Sequence, residues 1–129
     1  MSKAITFSRI SLFVVYFWFG VLKVLGLSPA SPMVLSLLKK TITFIDAPTF
    51  LIVFGLFEVL IGILFLIPKL EKIALFLLTL HMVAVCLPLV MLPDLTWKSM
   101  LVPTMEGQYI IKNILIISIA FTLALRRRY

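Results

Sequence analysis

Charge is scarce in this chain of 129 residues: Asp, Glu, Lys and Arg together make up 13%, against ~25% in an ordinary globular domain. Carboxylates are scarcest, five against twelve Lys and Arg, which leaves a net charge of +7. Cysteine occurs once, as Cys86, and histidine once, as His81. A single cysteine forms no internal disulfide and gives no compartment information. With one of each, and neither CxxC nor HExxH, the common metal-ligand patterns are absent, so no metal is expected. The basic balance does not describe a nucleic-acid surface, because no basic face alternates with stacking aromatics. No nucleic-acid partner is expected.

Apolar residues fill the space the charges leave, at 63%. A soluble fold of this size cannot bury so much apolar surface, and lipid is its natural solvent. The length suits a single integral-membrane domain, residues 1–129. Four apolar stretches stand out, at about 10–27, 50–67, 73–92 and 109–125. Each has about the length a helix needs to cross ~30 Å of hydrocarbon. Arg9 precedes the first, Pro48 and Pro68 bracket the second, and Pro93 closes the third. Arg126, Arg127 and Arg128 stop the fourth and read as a topology anchor facing anionic lipid. The expected fold class is all-α: a four-helix transmembrane bundle with short interfacial helices in the first-to-second and third-to-fourth connections.

The connections are unequal. Residues 68–72, PKLEK, read as a tight turn. In 28–49, Met33, Val34, Leu37, Leu38, Ile42 and Ile45 recur at helical spacing, opposite Ser36, Lys39, Lys40 and Thr43. That pattern predicts a short interfacial helix started by Pro32. The segment 93–108 is expected to lie on the membrane too, with Trp97 and Tyr109 in the aromatic belt. An even number of spans puts both termini on one side. Seven Lys and Arg fall there and five on the other side, which favours both termini inside. Lys3 and Arg9 ahead of an apolar run, with Ser28, Pro29 and Ala30 after it, loosely resemble a signal peptide. The run is long for one and Lys23 interrupts its end, so it is read as a span.

Ionisable groups inside hydrocarbon carry the most information. Glu58 is the ninth residue of the eighteen in 50–67, with Gly55 and Gly62 on its helical face, where small residues let a neighbouring helix come close. His81 is at about the same depth in the third span, sharing its face with Ala84 and Pro88. Pro88 is expected to kink that helix. Tyr16, Gly20 and Lys23 make a stripe on the first span, and Gln108, Lys112 and Asn113 open the fourth. Lys23 and Lys112 are placed about one turn inside the same end, with Glu58 about one to two turns deeper, a gap that a lysine stem covers in large part. The expectation is a polar pocket in the outer half of the bundle, formed by Glu58, Lys23, Lys112, Asn113, His81, Gln108 and Tyr16, with the two long connections as its lid. Each residue has a structural alternative. Glu58 can fix helix register by pairing with a lysine, the lysines can snorkel, and His81 can be a hydrogen-bonded interior residue. Cys86 reads as a small apolar residue.

Three stretches bear on family. They are YFWFGVLKVLGLSP at 16–29, GLFEVLIG at 55–62, and LHMVAVCLPLVMLP through PTMEGQYIIKN at 80–113. Together they resemble the DoxX-like family of small bacterial four-helix membrane proteins. Gly20 and Lys23 match its G-x-x-K end of the first helix. Glu58 and Gly62 match its acidic residue with nearby glycines. His81, Met82, Pro88, Glu106, Gly107, Gln108, Lys112 and Asn113 fall on the pattern of one subgroup. The resemblance implies a place in the bacterial cytoplasmic membrane. Some relatives are described as subunits of a thiosulfate:quinone oxidoreductase or of membrane redox-stress complexes, and more distant ones bind sterol-like ligands or assist receptor assembly.

Three function classes stay open. One is a subunit of a membrane redox system, with a non-covalent quinone or a small anion in the pocket and a redox partner subunit. Another is a non-catalytic binding protein for a lipophilic ligand, or an assembly factor. The third is a small-solute or proton pathway, which four short helices supply only as an oligomer. Whether the chain is an enzyme stays open with them.

Overall fold

The computed structural model describes residues 3–27, 31–41 and 45–126. Within these the chain is mostly helical. Four segments are long and apolar enough to cross a membrane: Lys3–Val24, Pro48–Leu66, Pro68–Met91 and Met105–Ala124, of 22, 19, 24 and 20 residues. The helices are α1 (Lys3–Val24), α2 (Ser31–Lys40), α3 (Ala47–Leu66), α4 (Glu71–Cys86), α5 (Pro88–Met91), α6 (Pro93–Thr96), α7 (Met105–Ile111) and α8 (Asn113–Ala124). The long ones close a ring, with α1 against α3, α3 against α4, α4 against α8, and α8 back against α1. Leu12, Ile61, Phe65, Leu78, Ala120 and Leu123 meet at its centre. The outward faces are apolar as well: Trp18, Val53, Phe76 and Leu115 are exposed, a pattern suited to lipid rather than water.

Among the long helices, α1 and α3 come closest at a pair of glycines. A Cβ on Gly20 would lie 2.6 Å from the Gly55 carbonyl oxygen, and one on Gly55 would lie 2.6 Å from that of Gly20. Only glycine at both positions lets the backbones touch.

Helix boundaries differ from the apolar runs. Helix α1 begins at Lys3, so Arg9 is inside it and buried. The guanidinium belongs there because its partners are intramolecular. Arg9 donates to a Glu71 carboxylate oxygen at 2.8 Å and to the Phe65 carbonyl at 2.8 Å, one of the acceptors that the end of α3 leaves open. Helix α3 begins earlier than residue 50 because Asp46 caps it, accepting from the Thr49 hydroxyl at 2.9 Å and the Thr49 backbone N–H at 3.3 Å. Those bonds, the hydroxyl first, hold the exposed Asp46 carboxyl below its ordinary pKa.

Residues 68–70 form a single 3-10 turn between α3 and α4. The first long connection contains α2 as expected, with Leu38 buried and Lys40 donating to the Met91 carbonyl at 2.9 Å. Ile42 and Thr43 of its pattern, residues Ser28 to Ala30, and Arg127 and Arg128 lie outside the described residues.

The other connection departs from the expected interfacial helix. After the four-residue α6 it forms an antiparallel two-stranded ribbon, β1 (Trp97–Ser99) with β2 (Val102–Pro103). Leu101 turns it with φ +64°, a conformation uncommon outside glycine and asparagine. Pro88 breaks the third segment as expected. Helix α4 ends at Cys86, and the Ala84 carbonyl takes the Leu87 N–H at 3.3 Å. Side chains then serve the carbonyls beyond the break. Thr96 donates to Leu92 and Trp97 to Leu89, both at 2.9 Å. Trp97 is therefore half-buried and hydrogen-bonded inward, while Tyr109 is exposed.

Candidate functional site

Helices α1, α3 and α4 each bring polar groups to one buried place. Tyr16 and Lys23 lie on the α1 stripe that includes Gly20, two turns apart, so both face α3 and its neighbour. Glu58 is on the α3 face between Gly55 and Gly62. The glycine contact therefore also brings Lys23 up to Glu58. The ammonium is 2.8 Å from Glu58 Oε1, and the other carboxylate oxygen is 3.0 Å from His81 Nε2. His81 Nδ1 is 3.2 Å from the Tyr16 hydroxyl. The result is a continuous chain, Lys23–Glu58–His81–Tyr16, with every member 8% exposed or less.

Two details separate this chain from a simple ion pair. Glu58 Oε1 and His81 Nε2 are at ion-pair distance from their neighbours, yet neither has the alignment of a hydrogen bond. Buried polar atoms are ordinarily aligned with a partner, and each departure calls for an explanation, whether strain, a bound water or ion, or a chemical role; Arg9 Nε shares this state. The surroundings are also aromatic. The Phe54 ring stacks on His81 with centroids 4.9 Å apart at 22°, and Phe57 is 6.2 Å away. The Lys23 ammonium is 5.9 Å from the Phe54 centroid.

Chemically, His81 bridges an acceptor and a hydroxyl. With the proton on Nε2 it faces the Glu58 carboxylate, and Nδ1 accepts from Tyr16. Moving the proton across the ring reverses the direction of the chain. The tautomer is assigned from these neighbours.

Four of the seven expected pocket residues are thus brought together. Lys112, Gln108 and Asn113 are not, which corrects the expected pocket. Lys112 and Gln108 are exposed and Asn113 half-buried. The Lys112 ammonium is 5.7 Å from the centroid of the Tyr109 ring, and among the described residues no hydrogen bond or ion pair joins any of the three to the chain. The reason lies in Gly107, which packs against the Thr96 carbonyl so closely that no Cβ fits. That contact, with Ile110 also buried, fixes the rotation of α7. Residues 108 and 112 then point away at 100° per residue.

Phe54 and Phe57 went unremarked in the sequence, although Phe54 is four residues before Glu58 and so on its face. A second buried cluster was also missed. Glu71 accepts from Arg9 at 2.8 Å and from Arg126 at 3.2 Å; in the sequence the two arginines count as topology charges and Glu71 is one residue of the PKLEK turn. Cys86 is half-buried and free. Among the described residues no three His, Cys, Asp or Glu side chains group to hold a metal ion. Comparison with protein-family models, with curated proteins and with solved structures gives no match to this chain.

Proposed function

We infer that the chain crosses the bacterial cytoplasmic membrane four times with both termini inside, and that Lys23–Glu58–His81–Tyr16 is a proton-handling site for a lipophilic ligand of the quinone class. In this reading it is a subunit of a membrane redox system, as the DoxX-like resemblance implies. One observation carries the proposal: a histidine held between a carboxylate and a phenol hydroxyl, buried and stacked on an aromatic ring, midway along an apolar span. Helix packing alone needs no such residue there, and an ionisable group at that depth marks function by default.

The residues fit the class of ligand. Tyr16 and His81 offer hydrogen bonds, and Phe54 and Phe57 offer aromatic surface, the mixture an apolar pocket uses to orient a headgroup. When bound, a quinone takes up two electrons and two protons, and the electrons come from a partner subunit. The 3.0 Å contact leaves Glu58 and His81 close enough to exchange a proton once the two groups turn into line, and Tyr16 extends the path. Lys23 balances the carboxylate charge. In membranes containing the chain, Glu58→Gln and His81→Phe are each expected to lower quinone reduction about a hundredfold or more, within the range positioned acid–base groups contribute. Wild-type turnover in both variants would refute the redox reading.

A non-catalytic role as an assembly factor draws support from a different place. At the ribbon tip Met100 and Leu101 are 89% and 85% exposed, a projection suited to a partner protein. Co-purification of a stoichiometric partner with no effect on quinone reduction would favour that reading.

A further inference from the structure

The buried cluster at the opposite end of the bundle borders a second site. A cavity of about 450 Å³ opens between the start of α4 and the end of α8, lined by Lys69, Glu71, Lys72, Leu125 and Arg126 among others. Four cations gather around it and beneath it, Arg9, Lys69, Lys72 and Arg126, with Glu71 as the carboxylate among them. Glu71 does not offset them freely, because Arg9 is 2.8 Å from one of its oxygens and Arg126 3.2 Å from both. Lys69 and Lys72 are exposed on the rim, leaving a surplus of positive charge at the mouth of a concave site.

We propose that this cavity binds the phosphodiester headgroup of an anionic phospholipid. The inference rests on the membrane-spanning reading above, since that reading puts the turn between α3 and α4, and the end of α8, at headgroup depth. Lys69 and Lys72 bind the phosphate oxygens as point charges, and basic recesses at the cytoplasmic ends of membrane helices suit such headgroups. Leu125, 58% exposed, gives the glyceride part an apolar wall. Glu71 has a positioning role: it holds Arg126 against the end of α8 and keeps α4, α8 and α1 together under the site.

The test uses the full chain in nanodiscs of mixed phosphatidylglycerol and phosphatidylcholine, transferred to mild detergent for native mass spectrometry. Retention of phosphatidylglycerol over phosphatidylcholine by fivefold or more is expected, and K69Q/K72Q is expected to abolish the preference while K39Q/K40Q, at the other end, keeps it. Inorganic phosphate at about 10 mM, roughly tenfold above a dissociation constant of ~1 mM, is expected to leave the lipid in place. Displacement by phosphate would assign the site to a free anion and overturn the lipid proposal, as would equal retention of both lipids. The membrane reading fails separately, if the chain partitions to the soluble fraction before reconstitution.

Discussion

At the scale of single residues, the two ionic clusters explain where this chain tolerates charge. Moving an isolated ion into an apolar interior is unfavourable, and pairing recovers part of that penalty. Lys23 and Glu58, with side chains 9% and 6% exposed, fall under this rule, and His81 gives Glu58 a second neighbour. Lys23→Met and Glu58→Gln each leave a buried partner short of its counter-charge, at up to about 3–5 kcal/mol. The double variant is expected to lose less than the two single losses added, with a coupling of about 1–3 kcal/mol. Reversible unfolding in mixed micelles measures it. Additive losses would mean that the 2.8 Å contact contributes nothing. The common depth of Glu58 and His81, and the place of Tyr16 and Lys23 on one stripe of the first helix, were legible from their positions within apolar runs. The order in which they touch was not, because side-chain direction depends on how helices α1, α3 and α4 are rotated against one another.

At the scale of elements, the glycine contact and the caps decide geometry. Gly20→Val would press a branched side chain onto the Gly55 carbonyl and separate α1 from α3. The expected result is destabilisation by about 1–3 kcal/mol or more, together with loss of the Lys23–Glu58 contact. A change to valine at an exposed position of α1, Phe7→Val (74% exposed), is expected to leave thermal unfolding within about 0.5 kcal/mol. The Asp46 cap gives a pH dependence of known sign. Its carboxyl is held below its usual value by Thr49, so the cap stabilises α3 above the unfolded value, about 3.9, and is lost as pH falls through the folded one. Thr49→Val, which deletes the shorter bond, is expected to move that loss to higher pH in an NMR titration of the Asp46 carboxyl; an unchanged midpoint would rule out the hydroxyl as the main cause. The spans themselves were readable from length and hydropathy. The boundaries were not, because Arg9 and Asp46 find partners that are distant in sequence or that require a cap geometry. The rotation of α7 depends on one glycine touching the Thr96 backbone, and no periodicity within 105–112 announces that contact.

For the whole molecule, the ring of four long helices separates two charged centres. One is the aromatic-lined Lys23–Glu58–His81–Tyr16 chain. The other is the Arg9–Glu71–Arg126 cluster near the turn between α3 and α4. Counting Lys and Arg treats all as free topology charges, whereas Arg9 and Arg126 share a carboxylate, which weakens the count on their side. The Lys23–Glu58–His81–Tyr16 centre is where the proposal puts a ligand, and its defining feature is a buried imidazole with polar neighbours on both sides. The most direct measurement is native mass spectrometry of the full chain released from nanodiscs loaded with quinone. The wild type is expected to retain one quinone per chain, and His81→Phe, which keeps an aromatic ring against Phe54 but removes both nitrogens, to retain at least tenfold less. Absence of quinone on the wild type, or equal retention by His81→Phe, would contradict the account.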